Sequence, residues 1–375
     1  MTKKVLLKDI LFNQEKVEQI AGEIHRVYRF FPKDRFIRDV VTRFPELELK
    51  ARIAWIAECL KKYLPSDYTR AVSILINALP PPNNPALSDD DFGDFIYAPY
   101  AEYVAQNGCT KEYLQCSLNA LYAMTQRFSA EDAIRSFINA FPKETLKELV
   151  QWTQDGHYHV RRLCSEGTRP KLPWSRKIHI SVSASLPILD KLFFDTTRFV
   201  TRSVANHIND ISKIDSHVVF ETLSKWKASG RQKPAEMDYI IRHALRTLIK
   251  QGHPKAIRML GFRPAPRVSV SQLIVPQTVT MNTALEFSFI IQSEENTSVL
   301  IDYILSFQNK TATRNSKKVF KLTQRMLVRD QPVIVSKRHK LRANMTTRTL
   351  YPGEHTIEIQ INGKVYASAT FMLLQ

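Results

Sequence analysis

The sequence predicts a mainly α-helical array followed by a β-sandwich. Three observations carry this: a helical apolar period from residue 13 to about 262, an apolar period of two after Gly261, and a Pro-rich break between them. A length of 375 residues suffices for two domains, each large enough to bury its own core. With 44% hydrophobic and 24% charged residues the chain has the composition of a folded protein, which excludes wholesale disorder.

In the helical part, Val17, Ile20, Ile24, Val27 and Phe31 make one stripe, Leu49, Ile53, Ile56 and Leu60 a second, and Leu114, Leu118, Leu121 and Tyr122 a third. Residues three and four apart share a helix face, so each stripe marks an amphipathic helix. Breaks at Phe31-Pro32, Leu64-Pro65, Phe141-Pro142 and Gly252-His253-Pro254 set the helices in pairs joined by tight turns. The units recur irregularly, at roughly the 40-residue spacing of two-helix repeats, and predict a curved solenoid. The segment Pro80 to Asp91 reads as a long loop within the array, because helical patterning resumes after it.

Beyond Gly261, Leu285, Phe287, Phe289 and Ile291 alternate with polar residues, as do Ile357, Ile359 and Ile361. The latter run into Asn362-Gly363 and then Val365, Ala367, Ala369 and Phe371, a hairpin with a type I′ turn. About 110 residues with some seven short strands fit an immunoglobulin-like sandwich. The expected domains are residues 1–262 and 267–375, with Arg263-Pro264-Ala265-Pro266 as linker.

Several function classes are excluded early. The two closest of the 10 glycines, Gly252 and Gly261, are nine positions apart, so neither a dinucleotide-binding GxGxxG turn nor a phosphate loop can be written. The four cysteines form no CxxC pair and sit in helical patterns, as buried thiols of a reducing compartment do. No stretch reaches the roughly 18 apolar residues of a membrane helix, and a cytoplasmic protein is expected. The net charge of +18 favours a polyanion, with nucleic acid the leading candidate partner.

Three helical segments carry polar residues that packing does not require. In the first, Arg127 to Arg135, Ser129 reads as a helix N-cap, with Glu131 and Asp132 in the first turn where the helix dipole favours an acid. The second runs from His157 to Trp174. Gly167 reads as a left-handed residue that stops its helix. Glu166 then stands in the last turn, where the dipole disfavours a negative charge by about 0.3 to 1 kcal/mol. Arg162 and Arg169 lie within reach of it as salt-bridge partners, and Trp174 follows. From Arg161 to Lys177 six basic residues, among them Arg161, Arg162, Arg169 and Lys171, face one acid, a composition that suits a phosphate backbone. His157 and His159 form HxH, but no further ligand completes a metal site at suitable spacing, and no metal is expected. In the third segment, Arg202 to Lys213, the stripe Val200, Val204, Ile208 and Ile211 is backed by a polar ridge of Arg202, Asn206, Asn209, Asp210 and Lys213. Asparagine is a poor helix former, which marks Asn206 as a candidate DNA contact.

Together these segments resemble the AlkC branch of the HEAT-like alkylpurine DNA glycosylases. The matching blocks are Arg127 to Arg135, Val160 to Trp174 (VRRLCSEGTRPKLPW) and Ser203 to Lys213 (SVANHINDISK). Asp132 and Ser136 depart from the pattern, which has Phe and Pro there. The resemblance covers about residues 90 to 260 and implies a HEAT-like solenoid; some members also carry a C-terminal immunoglobulin-like domain. It further implies a DNA glycosylase that releases cationic N3-alkylated bases, such as 3-methyladenine and 3-methylcytosine, without extruding them and without a cofactor. Glu131, Glu166 and Asp210 would stabilise the sugar cation or position water, with Trp174 against the lesion nucleotide.

The expected partner is duplex DNA containing alkylated bases, bound by a monomer. In the C-terminal part, Lys310 to Arg348 holds twelve basic residues and one acid, +11 of the total +18. Lys317, Lys318, Lys321 and Arg338 in this stretch are candidate phosphate contacts, making the sandwich a second DNA clamp. The alternatives are a non-catalytic helical-repeat DNA-binding protein and a protein-binding scaffold. Retention of Glu131, Glu166, Trp174 and Asp210 in the matching blocks argues against both.

Overall fold

The computed structural model describes residues 6–86, 92–309, 315–345 and 348–375. Lys310 and Arg314 of the basic stretch, and residues 87–91 of the expected long loop, lie outside the described residues. The chain divides into two compact units, Met1–Ala244 and Leu245–Gln375.

The first unit is helical. It opens with α1 (Leu7–Leu11), α2 (Gln14–Val27), α3 (Lys33–Thr42), α4 (Leu49–Tyr63) and α5 (Tyr68–Ala78). There follow α6 (Ala98–Asn107), α7 (Leu114–Thr125), α8 (Ile134–Ala140), α9 (Pro142–Trp152) and α10 (Tyr158–Gly167). It closes with α11 (Val182–Leu192), α12 (Arg198–Ile211), α13 (Ser216–Ser229) and α14 (Pro234–Ala244). The expected breaks hold. Pro142 opens α9 at its first position, where a missing N–H costs nothing, and Asp67 caps α5 by accepting from Arg70 N at 2.7 Å. Helices touch their sequence neighbours, as α2 does α3, and also those next but one, as in α4 with α6, α10 with α12 and α12 with α14.

Two local readings need correction. Gly167 is not left-handed; it is the last residue of α10, followed by Thr168 at φ −95°. Its reason is space, since a Cβ there would lie 2.6 Å from Ile134 Cγ2. Ser129 does not cap α8 either, because its hydroxyl donates to Glu131 Oε2 at 2.8 Å and the helix proper begins at Ile134.

The second unit begins with α15 (Arg246–Lys250) and α16 (Pro254–Met259). Its strands are β1 (Val268–Ile274), β2 (Thr278–Thr280), β3 (Ala284–Ser293), β4 (Thr297–Gln308), β5 (Asn315–Leu327), β6 (Val333–Lys340), β7 (Asn344–Met345), β8 (Arg348–Thr349), β9 (Gly353–Ile361) and β10 (Lys364–Leu374). They form a three-stranded sheet, β1-β3-β6, a five-stranded sheet, β2-β10-β9-β4-β5, and the short β7-β8 ladder. The predicted alternation is seen: Leu285, Phe287, Phe289 and Ile291 are buried in one core with Ile357, Ile359 and Ile361.

Asn362 and Gly363 both have positive φ, +45° and +83°, as a type I′ turn demands. Past the turn the period slips. Val365 pairs with Gln360 and Ala367 with Ile359, so Tyr366 is an extra residue and Val365 is left exposed. Gly363 also packs on the turn after α15, where an added Cβ would meet Gly252 Cα at 2.2 Å.

The division between the units falls earlier than the expected break at residue 262. Ile257 of α16 and Phe262 share a small core with Leu300 of β4, so the two short helices go with the sandwich. The segment Arg263 to Pro266 is accordingly no free linker. Asn362 Nδ2 donates to the Arg263 carbonyl at 2.9 Å, and Tyr366 OH to that of Pro266 at 2.8 Å.

Candidate active site

Glu131 lies in the turn before α8, Glu166 in the last turn of α10 and Asp210 in the last turn of α12. Arginines join them. Arg162 Nη1 donates to Glu131 Oε2 at 3.0 Å and to Ser129 Oγ at 3.1 Å, while its Nη2 stands 3.9 Å from Glu166 Oε1. Arg169 Nη1 donates to that same Glu166 oxygen at 2.5 Å, and its Nε and Nη2 reach Asp210 Oδ2 at 2.9 and 2.8 Å. Lys213 ends the row, 3.0 Å from Asp210 Oδ1. Acid and base alternate from Glu131 through Arg162, Glu166, Arg169 and Asp210 to Lys213. Such neutrality permits the burial, because Glu166 and Asp210 are each only 4% exposed.

Glu166 is the hub. Its other oxygen, Oε2, accepts from Ser203 Oγ at 2.5 Å. Burial opposes its charge, but the Arg162 and Arg169 guanidiniums and the Ser203 hydroxyl outweigh burial and hold its carboxyl below the usual range. An anion in the last turn of α10 is thus kept by tertiary partners against the helix dipole. Next to it His207 is fully buried, and its Nδ1–H donates to the Ser165 carbonyl at 3.0 Å. Burial pushes its pKa down to about 4, so the ring is neutral near pH 7.

Trp174 is 82% exposed, with a left-handed backbone at φ +61°. It borders a largely apolar cavity of about 340 Å³ whose wall also holds Glu131, Asp132, Lys50, Ile53 and Phe128. Glu166 and Asp210 are not part of that wall. The predicted site thus meets in two contiguous parts, a buried ionic row and a cavity, which share Glu131.

The basic residues expected on phosphates fare differently. Arg161 directs Nε and Nη2 to Asp195 at 2.6 and 3.1 Å, Nη2 also to Thr197, and Nη1 to the carbonyls of Asp155 and Gly156. All five guanidinium N–H groups serve the protein, so Arg161 has none left for DNA. Arg162 and Arg169 are counterions of the acids, since the two buried carboxylates, Glu166 and Asp210, could not be buried without cations beside them.

Lys171 is exposed. Asn206 is half-buried, and its Oδ1 accepts from His243 Nε2 at 2.8 Å. The polar ridge of α12 is not a solvated face, because Asn209 and Asp210 are buried where α12 packs on α10 and α14. On the sandwich, Lys317, Lys318 and Lys321 are exposed along β5, an edge strand. Lys317 pairs with Glu358 at 2.9 Å, and Arg338, on edge strand β6, with Glu286 at 3.1 Å.

Sequence reasoning passed over Ser203, His207 and Arg135. A signal existed for the first two: they stand three and seven residues after Val200, at positions of the buried stripe, where a polar residue needs a partner. Arg135, 1% exposed, donates Nη1 to the Gly167 and Arg169 carbonyls at 3.0 and 2.9 Å and Nε to the Arg176 carbonyl. No local pattern announces that role. Among the described residues no three His, Cys, Asp or Glu side chains gather as metal ligands, and no helix is long and apolar enough to cross a membrane.

Comparison with known proteins places the chain in a family. Residues 269–375 match a family described as the uncharacterised protein YhaZ, C-terminal Ig-like domain. Over 372 residues the chain is 32% identical to the uncharacterized protein YhaZ of Bacillus subtilis (strain 168), covering 98% of this chain and 99% of that protein. The Pseudomonas fluorescens alkylpurine DNA glycosylase AlkC, solved bound to DNA containing an abasic site analog, matches with a TM-score of 0.89 at 32% identity. That match covers 99% of this chain and 100% of the other. At this identity and coverage, the chain belongs to the AlkC family of alkylpurine DNA glycosylases.

Proposed function

We propose that this glycosylase hydrolyses the bond between deoxyribose and a cationic N3-alkylated base in duplex DNA, with 3-methyladenine and 3-methylcytosine as substrates. The observation that carries the reading is the ionic row from Glu131 to Asp210, paired acid to arginine and largely out of water, with the exposed Trp174 on the cavity that Glu131 also lines.

The chemistry follows from the leaving group. An N3-alkylated base already bears a positive charge, so it departs without a proton from a general acid. What the reaction needs is an anion to stabilise the oxocarbenium sugar and to place water. A carboxylate about 4 Å from that cation, at an effective dielectric near 20, contributes of order 4 kcal/mol, roughly a thousandfold in rate.

The three acids are not equivalent. Both oxygens of Glu166 are engaged by Arg169, Arg162 and Ser203, so its task is to hold the arginines. Glu131, with a 27% exposed side chain on the cavity wall, is the acid that meets the sugar. Asp210, held by Arg169 and Lys213, adds its field from the far end. Trp174 packs against the lesion nucleotide in place, without extrusion of the base. The helical unit serves as a HEAT-like solenoid along the duplex, and the exposed lysines of β5 add phosphate contacts from the second unit.

The test is incubation of purified protein with methylated duplex DNA and chromatography of the released bases. Release of 3-methyladenine and 3-methylcytosine is expected; absence of both overturns the reading.

A further inference from the structure

Trp174 combines two features that disfavour folding, an indole standing in water and a left-handed backbone on a residue with a Cβ. At 82% exposure its side chain gains little from burial. The surrounding segment is tied at its ends by Arg135, through the carbonyls of Gly167, Arg169 and Arg176. Its middle converges on one acid, Asp132. Oδ1 of Asp132 accepts from the Arg176 backbone N–H at 2.9 Å, and Oδ2 takes the Lys50 ammonium at 2.9 Å and Arg176 Nη1 at 3.3 Å. The same Lys50 ammonium donates to the Trp174 carbonyl at 2.5 Å. Arg176 is itself clamped by Glu102, at 2.6 and 2.8 Å.

We infer that Asp132 is a positioning residue that, through Lys50 and Arg176, fixes Trp174 relative to the neighbouring Glu131. The turn before α8 thereby carries both the acid proposed to meet the sugar and the anchor of the aromatic proposed to meet the nucleotide. A plain surface ion pair would do less, being solvated and weak. Asp132 instead accepts a backbone N–H with its side chain 27% exposed. Burial works against its charge, yet the Arg176 N–H and the Lys50 ammonium hold its carboxyl below the usual range.

The kinetic part of the inference rests on the glycosylase reading; the structural part does not. Of the four tryptophans, Trp55 is half-buried, Trp152 9% exposed and Trp226 1%, so acrylamide quenching and fluorescence anisotropy report chiefly on Trp174 once the Trp174→Phe signal is subtracted. In full-length Asp132→Ala that Trp174 component should lose anisotropy. Single-turnover base release should slow about tenfold, while affinity for lesion DNA changes less than twofold. Asp132→Asn keeps the size and the acceptor for the Arg176 N–H, guards against misfolding, and should fall between. The double variant Asp132→Ala/Trp174→Ala should be no slower than Trp174→Ala alone. An unchanged anisotropy in Asp132→Ala, or slowing of the double variant beyond Trp174→Ala, overturns the inference. Should Trp174→Ala release base at the parent rate, the assignment of Trp174 to the lesion fails, and the anisotropy still decides whether Asp132 positions it.

Discussion

A carboxylate shut in with two arginines and one that keeps an edge toward water answer differently to loss of charge. Glu166, with a 6% exposed side chain, neutralises Arg162 and Arg169, so Glu166→Gln leaves two buried cations undercompensated. It should cost about 3 to 5 kcal/mol of stability, read as a lowered Tm, with base release falling as a consequence. Glu131, with a 27% exposed side chain, shares Arg162 with Glu166, and its removal leaves that arginine one acid. Glu131→Gln should therefore slow single-turnover release by about a hundredfold to a thousandfold with a small change in Tm. Equal thermal losses in the two variants, or near-normal release by Glu131→Gln, would show that the roles are misassigned. Neither role is written in residue type, since both are glutamates within reach of arginine.

At the scale of elements, the site depends on how closely α10 lies on the start of α8, and Gly167 sets that distance. An alanine within a helix ordinarily stabilises by about 1 kcal/mol over glycine. Here the added Cβ would stand 2.6 Å from Ile134 Cγ2, on a fully buried side chain that would have to shift within the core. Gly167→Ala should accordingly destabilise by about 1 to 3 kcal/mol in urea unfolding, the opposite sign to propensity. A stabilised variant would mean that α10 and α8 can separate freely. Element types and breaks were legible in the sequence because apolar period and proline act within a few residues. The reason for Gly167 was not, because Ile134 reaches it only through the fold. The slip at Tyr366 escaped for a similar cause: a strict period of two carries no mark of an extra residue until the partner strand is in place.

For the whole molecule, the net charge of +18 is a statement about partners rather than about fold. With Arg161, Arg162 and Arg169 engaged by internal acids, the exposed lysines of β5 carry more of the phosphate-binding proposal than the helical arginines do. Replacing Lys317, Lys318 and Lys321 together by Gln should weaken binding to damaged and undamaged duplexes alike. The slope of log affinity against log salt should shrink by about 0.9 for each phosphate that is no longer neutralised. Base release at saturating DNA should stay at the parent rate. An unchanged salt slope would assign the basic strand to something other than DNA.

The sequence by itself determined the helical and two-residue periods, the proline breaks, the Asn362-Gly363 turn, and the blocks that hold Glu131, Glu166, Trp174 and Asp210. Each depends on interactions within a turn or two of chain, or on residue types kept together in a short segment. Only the tertiary structure decided which cation answers which acid. Arg162 finds Glu131 across 31 positions and Arg169 finds Asp210 across 41, so a count of basic residues does not tell which of them already answer an acid of the protein. It also decided that Arg263 to Pro266 is pinned to the sandwich rather than free, through side chains about 100 residues further along the chain. Desolvation is the physical reason: a charge or a carbonyl takes its partner according to what surrounds it once water is excluded, and that is known only when the elements have packed.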